Sequence, residues 1–308
     1  MFKSIYEDIK RQFQSGNILT RIIIFNIAVF VVFVLISVFT GFNSSIYNNI
    51  QNWLSLSSNA WEILTRPWTI ITHMFMHAGF GHIFWNMLLL YWFGRIVGDF
   101  IGDKKILPLY ILGGLVGGIF YYLSYNYLGY GTAGVTGYAL GASAAVMAFV
   151  AASAYLSPDY EFNLLIIGPV KLKFIAATLL ILDLVFIGKG SNTGGHIAHI
   201  GGFCYGALYV YMLRNGTDLG EPLNDGYEKI KSFFDKNTAA KNKEKSPVFV
   251  RYKAPESSGK RKRRIKNDSV DLSYEEQLDK ILEKIKGSGY DSLDAEEKEF
   301  LIQASKKD

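Results

Sequence analysis

The sequence predicts an all-α polytopic membrane protein: a bundle of six transmembrane helices followed by a small cytoplasmic helical extension. Three observations predict it. Half of the 308 residues are hydrophobic and only 19% are charged, where soluble domains carry about a quarter. Apolar runs of near-spanning length recur as far as Leu213, and the charges that are present crowd into the last third. This balance excludes a disordered chain and a disulfide-stapled secreted domain. The single Cys204 lies in an apolar run, so it forms no internal disulfide and builds no thiolate metal site alone.

The first run, Leu19 to Phe39, is long enough to cross a hydrocarbon core of roughly 30 Å at 1.5 Å per residue. It continues past the length of a signal-peptide core and follows a mixed polar segment, Met1 to Ser15, so no cleavable leader is expected. Five further spans are expected at about Gly81 to Phe100, Leu109 to Leu128, Ala139 to Leu156, Leu172 to Ile187 and His196 to Leu213. Hydropathy alone leaves the count between about five and seven.

Lysine and arginine placement sets the orientation. Lys3, Lys10, Arg11 and Arg21, then Arg95, Lys104 and Lys105, then Lys171 and Lys173, and finally Arg214 lie on one side, whereas the alternate loops offer Arg66 and Lys189. Both termini are therefore expected to be cytoplasmic. The first outer loop, Gly41 to Phe80, mixes Trp53, Trp61 and Trp68 with polar residues and is expected to form short interfacial helices. The other outer loops, Gly129 to Gly137 and Gly188 to Gly195, are short and glycine-rich.

Small residues four apart recur at Gly94 and Gly98, Gly113 and Gly117, Gly114 and Gly118, Gly141 and Ala145, and Gly202 and Gly206. In lipid such pairs let backbones approach, which favours a compact monomeric bundle.

All five histidines fall at two helix entries: His73, His77 and His82 near the second span, and His196 and His199 near the sixth. Ser143 stands near the start of the fourth, expected a few residues inside the span. Each even-numbered helix enters from the outer side, so Ser143, His82, Asn86 and His199 converge near one boundary, with His82 and Asn86 on one helical face. Polar groups in hydrocarbon are costly and face a bundle interior or a wet cavity. A serine beside a neutral imidazole can act as nucleophile and general base. The Asn86 amide, the His82 imidazole and the Ser143 backbone N–H are candidate donors for the resulting oxyanion. Singly, each also reads as a packing residue bonded within its own helix. The outer histidine cluster has no carboxylate or thiolate at ligand spacing, so neither metal nor cofactor is expected. Asp183, in the fifth span, is expected to be protonated, interfacial or paired with a neighbouring helix; a proton-transfer role in a transporter is the competing reading.

HIFWN at His82 to Asn86, GASA at Gly141 to Ala144 and AHIGGFCYG at Ala198 to Gly206 resemble the motifs of rhomboid-family intramembrane serine proteases, as does RPWTIITHMFMHAGF before them. The resemblance runs from about Leu19 to Leu213 and is specific because the motifs occur in order on spans two, four and six. It implies a Ser–His dyad with no acidic third member: Ser143 as nucleophile, His199 as general base and acid, and His82 and Asn86 as oxyanion-stabilising residues. It further implies an acyl-enzyme mechanism, transmembrane substrates cut near the outer boundary, entry around the fifth helix, and a bacterial-type enzyme of the cytoplasmic membrane with a C-terminal extension. A family-like protein that binds transmembrane helices without cutting them is the alternative. Three positions depart from the pattern. Ala144 replaces the usual glycine, so its methyl is expected to crowd the substrate or a helix contact. Thr69 follows Trp68 where many members have arginine, leaving Arg66 to compensate. Met147 stands where some members stack a tyrosine on the base.

Three regions are expected: the membrane domain at 1–214, a basic flexible linker at 215–270 and a helical hairpin at 271–308. A short amphipathic helix is expected within Asn224 to Phe234. The run Lys260 to Arg264 faces an anionic leaflet under this topology, at about 1 kcal/mol per near-surface charge, so anionic lipids rather than nucleic acid are its expected partner. Leu278, Ile281, Leu282 and Ile285 form one apolar stripe. After the Gly287 to Gly289 break, Ser292, Glu296, Glu297, Phe300, Leu301 and Ile302 mark a second helix.

Overall fold

A computed structural model describes residues 17–41, 44–130, 135–164, 168–187 and 192–229, with 232, 281, 284, 294, 297, 298 and 300. The chain divides into two compact units, Met1–Ser246 and Pro247–Asp308.

Six long helices build the first unit: α1 (Ile18–Thr40), α5 (Phe80–Ile101), α6 (Ile106–Tyr127), α7 (Ser143–Leu156), α8 (Leu172–Ile187) and α9 (Thr193–Arg214). Among the described residues, α1 and the stretch Asp103–Tyr127 are long and apolar enough to cross a membrane, with mean hydropathies of 3.1 and 1.8. Much of α1 and α8 turns large apolar side chains outward, including Val32, Leu35, Phe39, Phe174, Ile181 and Val185. A continuous outward apolar surface of that kind suits hydrocarbon better than water.

The helix starts follow from local chemistry. Asn17 caps α1 by accepting from Thr20 N, and the Asp103 carboxylate also accepts from Ile18 N at 3.0 and 3.1 Å, pinning α1 to the α5–α6 turn. Deeper in the bundle, Asn26 of α1 donates to its own helix and to the Tyr110 hydroxyl, which donates to the Met74 carbonyl at 2.9 Å. Every member of this buried network is satisfied, which links α1, α6 and the loop between α1 and α5.

The centre of the bundle is a stack of small residues. Ala144 and Ala148 of α7 lie between Gly113 and Gly117 of α6 on one side and Gly202 and Gly206 of α9 on the other. A Cβ at Gly113 or Gly117 would fall 2.6 or 2.3 Å from the Ala148 or Ala144 methyl. One at Gly202 or Gly206 would fall 2.0 Å from the Ala144 or Ala148 carbonyl oxygen. Two of the sequence's four-residue small pairs, Gly113 with Gly117 and Gly202 with Gly206, thus reduce to one device, in which backbones approach to gain van der Waals contact.

The connection between α1 and α5 holds three short helices, α2 (Ser45–Leu54), α3 (Ala60–Thr65) and α4 (Thr69–Thr72), then a 3-10 turn, His73–Phe75. Arg66 stacks over the Trp53 ring at 5.4 Å and Trp68 donates to the Trp53 carbonyl at 2.9 Å, so Arg66 supplies the cation that position 69 lacks. Strand β1 (Leu56–Ser57) pairs antiparallel with β2 (Tyr138–Ala139), tying this loop to the segment that precedes α7. The fourth span therefore begins later than its apolar run predicts. Ala139 is a strand residue, Gly141 has φ +133°, and Ser143 is the first helical residue rather than one a few positions inside.

A hairpin that hydropathy did not reveal, β3 (Glu161–Leu164) with β4 (Gly168–Lys171), joins α7 to α8, with Lys171 and Lys173 both on Asp159. Near the same end, Arg214 donates to the Leu156 carbonyl at 3.0 Å, and Asp218 accepts from Lys105 and Tyr209. A helical stretch follows over 221–229, beginning three residues before the predicted amphipathic helix and overlapping it.

In the second unit, Asp294 accepts from Glu297 N and Glu297 accepts from Asp294 N, each at 2.9 Å. That reciprocal pair has the form of a capping box at Asp294. Lys284 bonds Glu297, and Ile281 is buried. Lys3, Lys10, Arg11, Lys189, the run Lys260 to Arg264, Leu278, Leu282, Ile285, Gly287, Gly289, Ser292, Glu296, Leu301 and Ile302 lie outside the described residues.

Candidate active site

Ser143 opens α7, so its backbone N–H precedes the intrahelical ladder and points out of the helix end. The preceding loop is fixed from two sides. Gly141 N donates to the His73 carbonyl at 2.8 Å, and a Cβ on Gly141 would meet the His82 ring at 2.9 Å. Positive φ and lack of space both require glycine there.

His199 lies on α9, across the contact held by Gly202. Its Nε2 is 2.7 Å from Ser143 Oγ, and its Nδ1 is 2.9 Å from Asp183 Oδ1. The same carboxylate oxygen lies 2.7 Å from His196 Nδ1. The His196 ring stacks on Phe186 of α8 at 5.6 Å and meets His199 edge-on at 5.9 Å. Asp183 is thus paired with a neighbouring helix, one of the three states the sequence allowed. The two-residue centre implied by resemblance is extended by an acidic group, because α8 and α9 bring together residues 16 apart in sequence.

A cavity of about 810 Å³ opens over these groups, lined by His82, Asn86, Ser143, Met147, His196 and His199 among others. All four predicted site residues therefore share one chamber. His82 approaches from α5 with its ring beside Gly141 and 5.1 Å from the His77 ring. Asn86 is buried, and its amide donates to the His82 carbonyl at 2.8 Å, so it must turn to reach an oxyanion. Met147 also lines the chamber. Sequence reasoning missed Tyr121, Tyr125 and Asn192 on the same wall. Their signal was weak, since tyrosines are frequent in this chain and Asn192 shows itself only by its left-handed backbone, φ 53°.

The Ala144 methyl faces Gly117 of α6 rather than the chamber. The extra carbon therefore changes a helix contact and leaves the chamber clear. Ala144→Gly is expected to lower stability by about 1 kcal/mol through backbone freedom, with a small void beside Gly117, read as a lower thermal unfolding midpoint in detergent.

His73 buttresses the site from the loop between α1 and α5, with Nδ1 donating to the Thr69 carbonyl at 2.8 Å. Burial lowers its pKa to about 4, and the neighbouring His77 is likewise lowered to about 4, first by burial and then by His82. Unfolded histidine binds a proton near 6.5, so below that pH the unfolded loop takes up protons that the folded loop refuses. The neutral rings' contribution is complete above about pH 6.5 and is lost as pH falls to about 4, on the order of 3 kcal/mol for the fully buried His73. Tryptophan fluorescence from Trp53, Trp61 and Trp68 is expected to report loosening across that window; a flat response would overturn the assignment.

Asp183, His196 and His199 offer ligand atoms within 4.8 Å of one another. Two Nδ1–H donors on one carboxylate oxygen account for these contacts at ordinary hydrogen-bond lengths without a cation.

Residues 64–216 match the family described as Rhomboid domain. RHOMBOID-like protein 12, mitochondrial, of Arabidopsis thaliana is 31% identical over 157 residues, 48% of this chain and 47% of that protein. Rhomboid protein 1, mitochondrial, of Saccharomyces cerevisiae is 28% identical over 51% of this chain and 45% of its own length. The human presenilin-associated rhomboid-like protein, mitochondrial, is 28% identical over 50% and 39%. The chain thus spans less than half the length of these curated relatives. Their names place them in mitochondria, whereas the sequence resemblance pointed to the bacterial type. The matched segment covers α4 to α9 and every residue of the chamber's hydrogen-bonded centre, so the similarity to a rhomboid domain falls on the part of the chain that builds the site.

Proposed function

We propose that this chain is an intramembrane serine endopeptidase that cuts transmembrane proteins near the outer membrane boundary. The observation that carries the reading is the 2.7 Å contact of Ser143 Oγ with His199 Nε2 inside a chamber that also holds Asn86 and His82. His199 takes the Ser143 proton as Oγ attacks the scissile carbonyl, then returns it to the leaving amine, and a water activated by the same ring hydrolyses the acyl-enzyme. The Ser143 N–H, the Asn86 amide and the His82 ring stabilise the oxyanion.

In this reading six helices cross the bilayer, both termini are cytoplasmic, and one chain is the catalytic unit. A substrate helix must unwind locally to expose a carbonyl, since its backbone groups otherwise pair internally. The basic run Lys260 to Arg264 contacts anionic lipid and has no nucleic-acid role.

Purified protein in liposomes, given a single-span reporter, is expected to release a product cut near the outer boundary, and a fluorophosphonate is expected to label the Ser143 peptide. Reporters that co-purify uncut, with Ser143 unlabelled, would instead favour a silent helix-binding protein. Ion-coupled uptake abolished by Asp183→Asn would favour transport.

A further inference from the structure

Helix α8 is mostly outward-facing: its buried residues are Leu172, Ala176 and Asp183. Ile181, Leu182, Leu184 and Val185, which flank the aspartate, are exposed and apolar. A carboxylate turned inward from such a helix needs compensating donors, and it has two, the Nδ1 atoms of His199 and His196 on a single oxygen. A carboxylate only accepts, so both rings are held as Nδ1–H tautomers. For His199 this leaves the Nε2 lone pair directed at the Ser143 hydroxyl, the form a general base requires.

We infer that Asp183 is a positioning residue for His199, fixing its tautomer and ring orientation and stabilising the imidazolium formed as Ser143 attacks. His196 acts with it. Its bond to the shared oxygen and its stack on Phe186 hold the carboxylate where His199 can reach it. The inference rests on the reading of Ser143 and His199 as nucleophile and base. It adds an acid that the sequence motifs do not contain, supplied by a helix other than the base's own.

The test begins with histidine ¹⁵N resonances of the full chain in detergent, which distinguish the two neutral tautomers. His199 is expected as Nδ1–H in the wild type and as a mixture in Asp183→Asn, whose amide can donate where the carboxylate accepts. An Nε2–H tautomer in the wild type would overturn the inference without recourse to any variant. In reporter cleavage, Asp183→Asn is expected to lower kcat by about 10²–10⁴-fold with KM little changed, as loss of an orienting carboxylate does in other Ser–His centres. Asp183→Glu is expected to restore part of the rate. A kcat within about threefold of wild type for Asp183→Asn, in protein whose Ser143→Ala variant is inactive, would defeat this inference and leave the protease reading standing. Cleavage surviving Ser143→Ala would defeat the reading beneath it.

Discussion

Ser143→Ala and His199→Ala are each expected to reduce reporter cleavage by about 10⁴–10⁶-fold, and the double variant is expected to fall no further. The hydroxyl attacks only as its proton leaves, and the one base within reach among the described residues is His199 Nε2 at 2.7 Å. Removing either partner therefore removes the same step. Single-turnover measurement with a single-span reporter checks this. Losses that multiply in the double variant would mean the two residues act independently, contrary to the geometry.

Gly202→Val is expected to be the most damaging change outside the chamber. Its Cβ would stand 2.0 Å from the Ala144 carbonyl oxygen and 2.7 Å from the carbonyl carbon. Those atoms belong to backbone in the helix that begins with Ser143, so no side chain can rotate to relieve the clash. Helices α7 and α9 must separate, at a cost beyond the roughly 4 kcal/mol that marks an exceptional single substitution. A shift of about 1 Å is enough to lose the Ser143–His199 contact and on the order of 10²-fold in rate. Thermal unfolding and fluorophosphonate labelling should fall together. Gly226→Ala is the comparison: nothing lies within 4 Å of a Cβ there, so its midpoint should hold or rise. Comparable midpoints for the two variants would refute the packing argument.

The long helices were legible because lipid imposes one requirement over many residues. The predicted Leu172 to Ile187 matches α8 at both ends, and Leu19 to Phe39 misses α1 by one residue at each end. The convergence of His82, Asn86, Ser143 and His199 was legible too, since alternating topology alone brings even-numbered helices in from one face. The late start of α7 was hidden because Ala139 and Leu140 are as apolar as the helix they precede. What turns them into strand and loop is a pairing with Leu56 and Ser57 more than eighty residues earlier, joined by the conformation of Gly141. The Asp183 contact was hidden for a related reason. Its place in an apolar run showed that it needed a partner, but which partner depends on how α8 rotates against α9. The fate of the Ala144 methyl likewise turned on Gly117, a residue in another helix.

The β1–β2 ladder reaches outside the matched segment. Residues 64–216 include Tyr138 and Ala139 but not Leu56 and Ser57, and they include Tyr110 but not Asn26. A fragment trimmed to the boundaries of its homology would leave a frayed strand just upstream of Ser143 and a Tyr110 hydroxyl that keeps its bond to the Met74 carbonyl but loses the Asn26 amide. The portion shared with distant relatives is therefore not self-sufficient here; its working shape is borrowed in part from the sixty-odd residues that precede it.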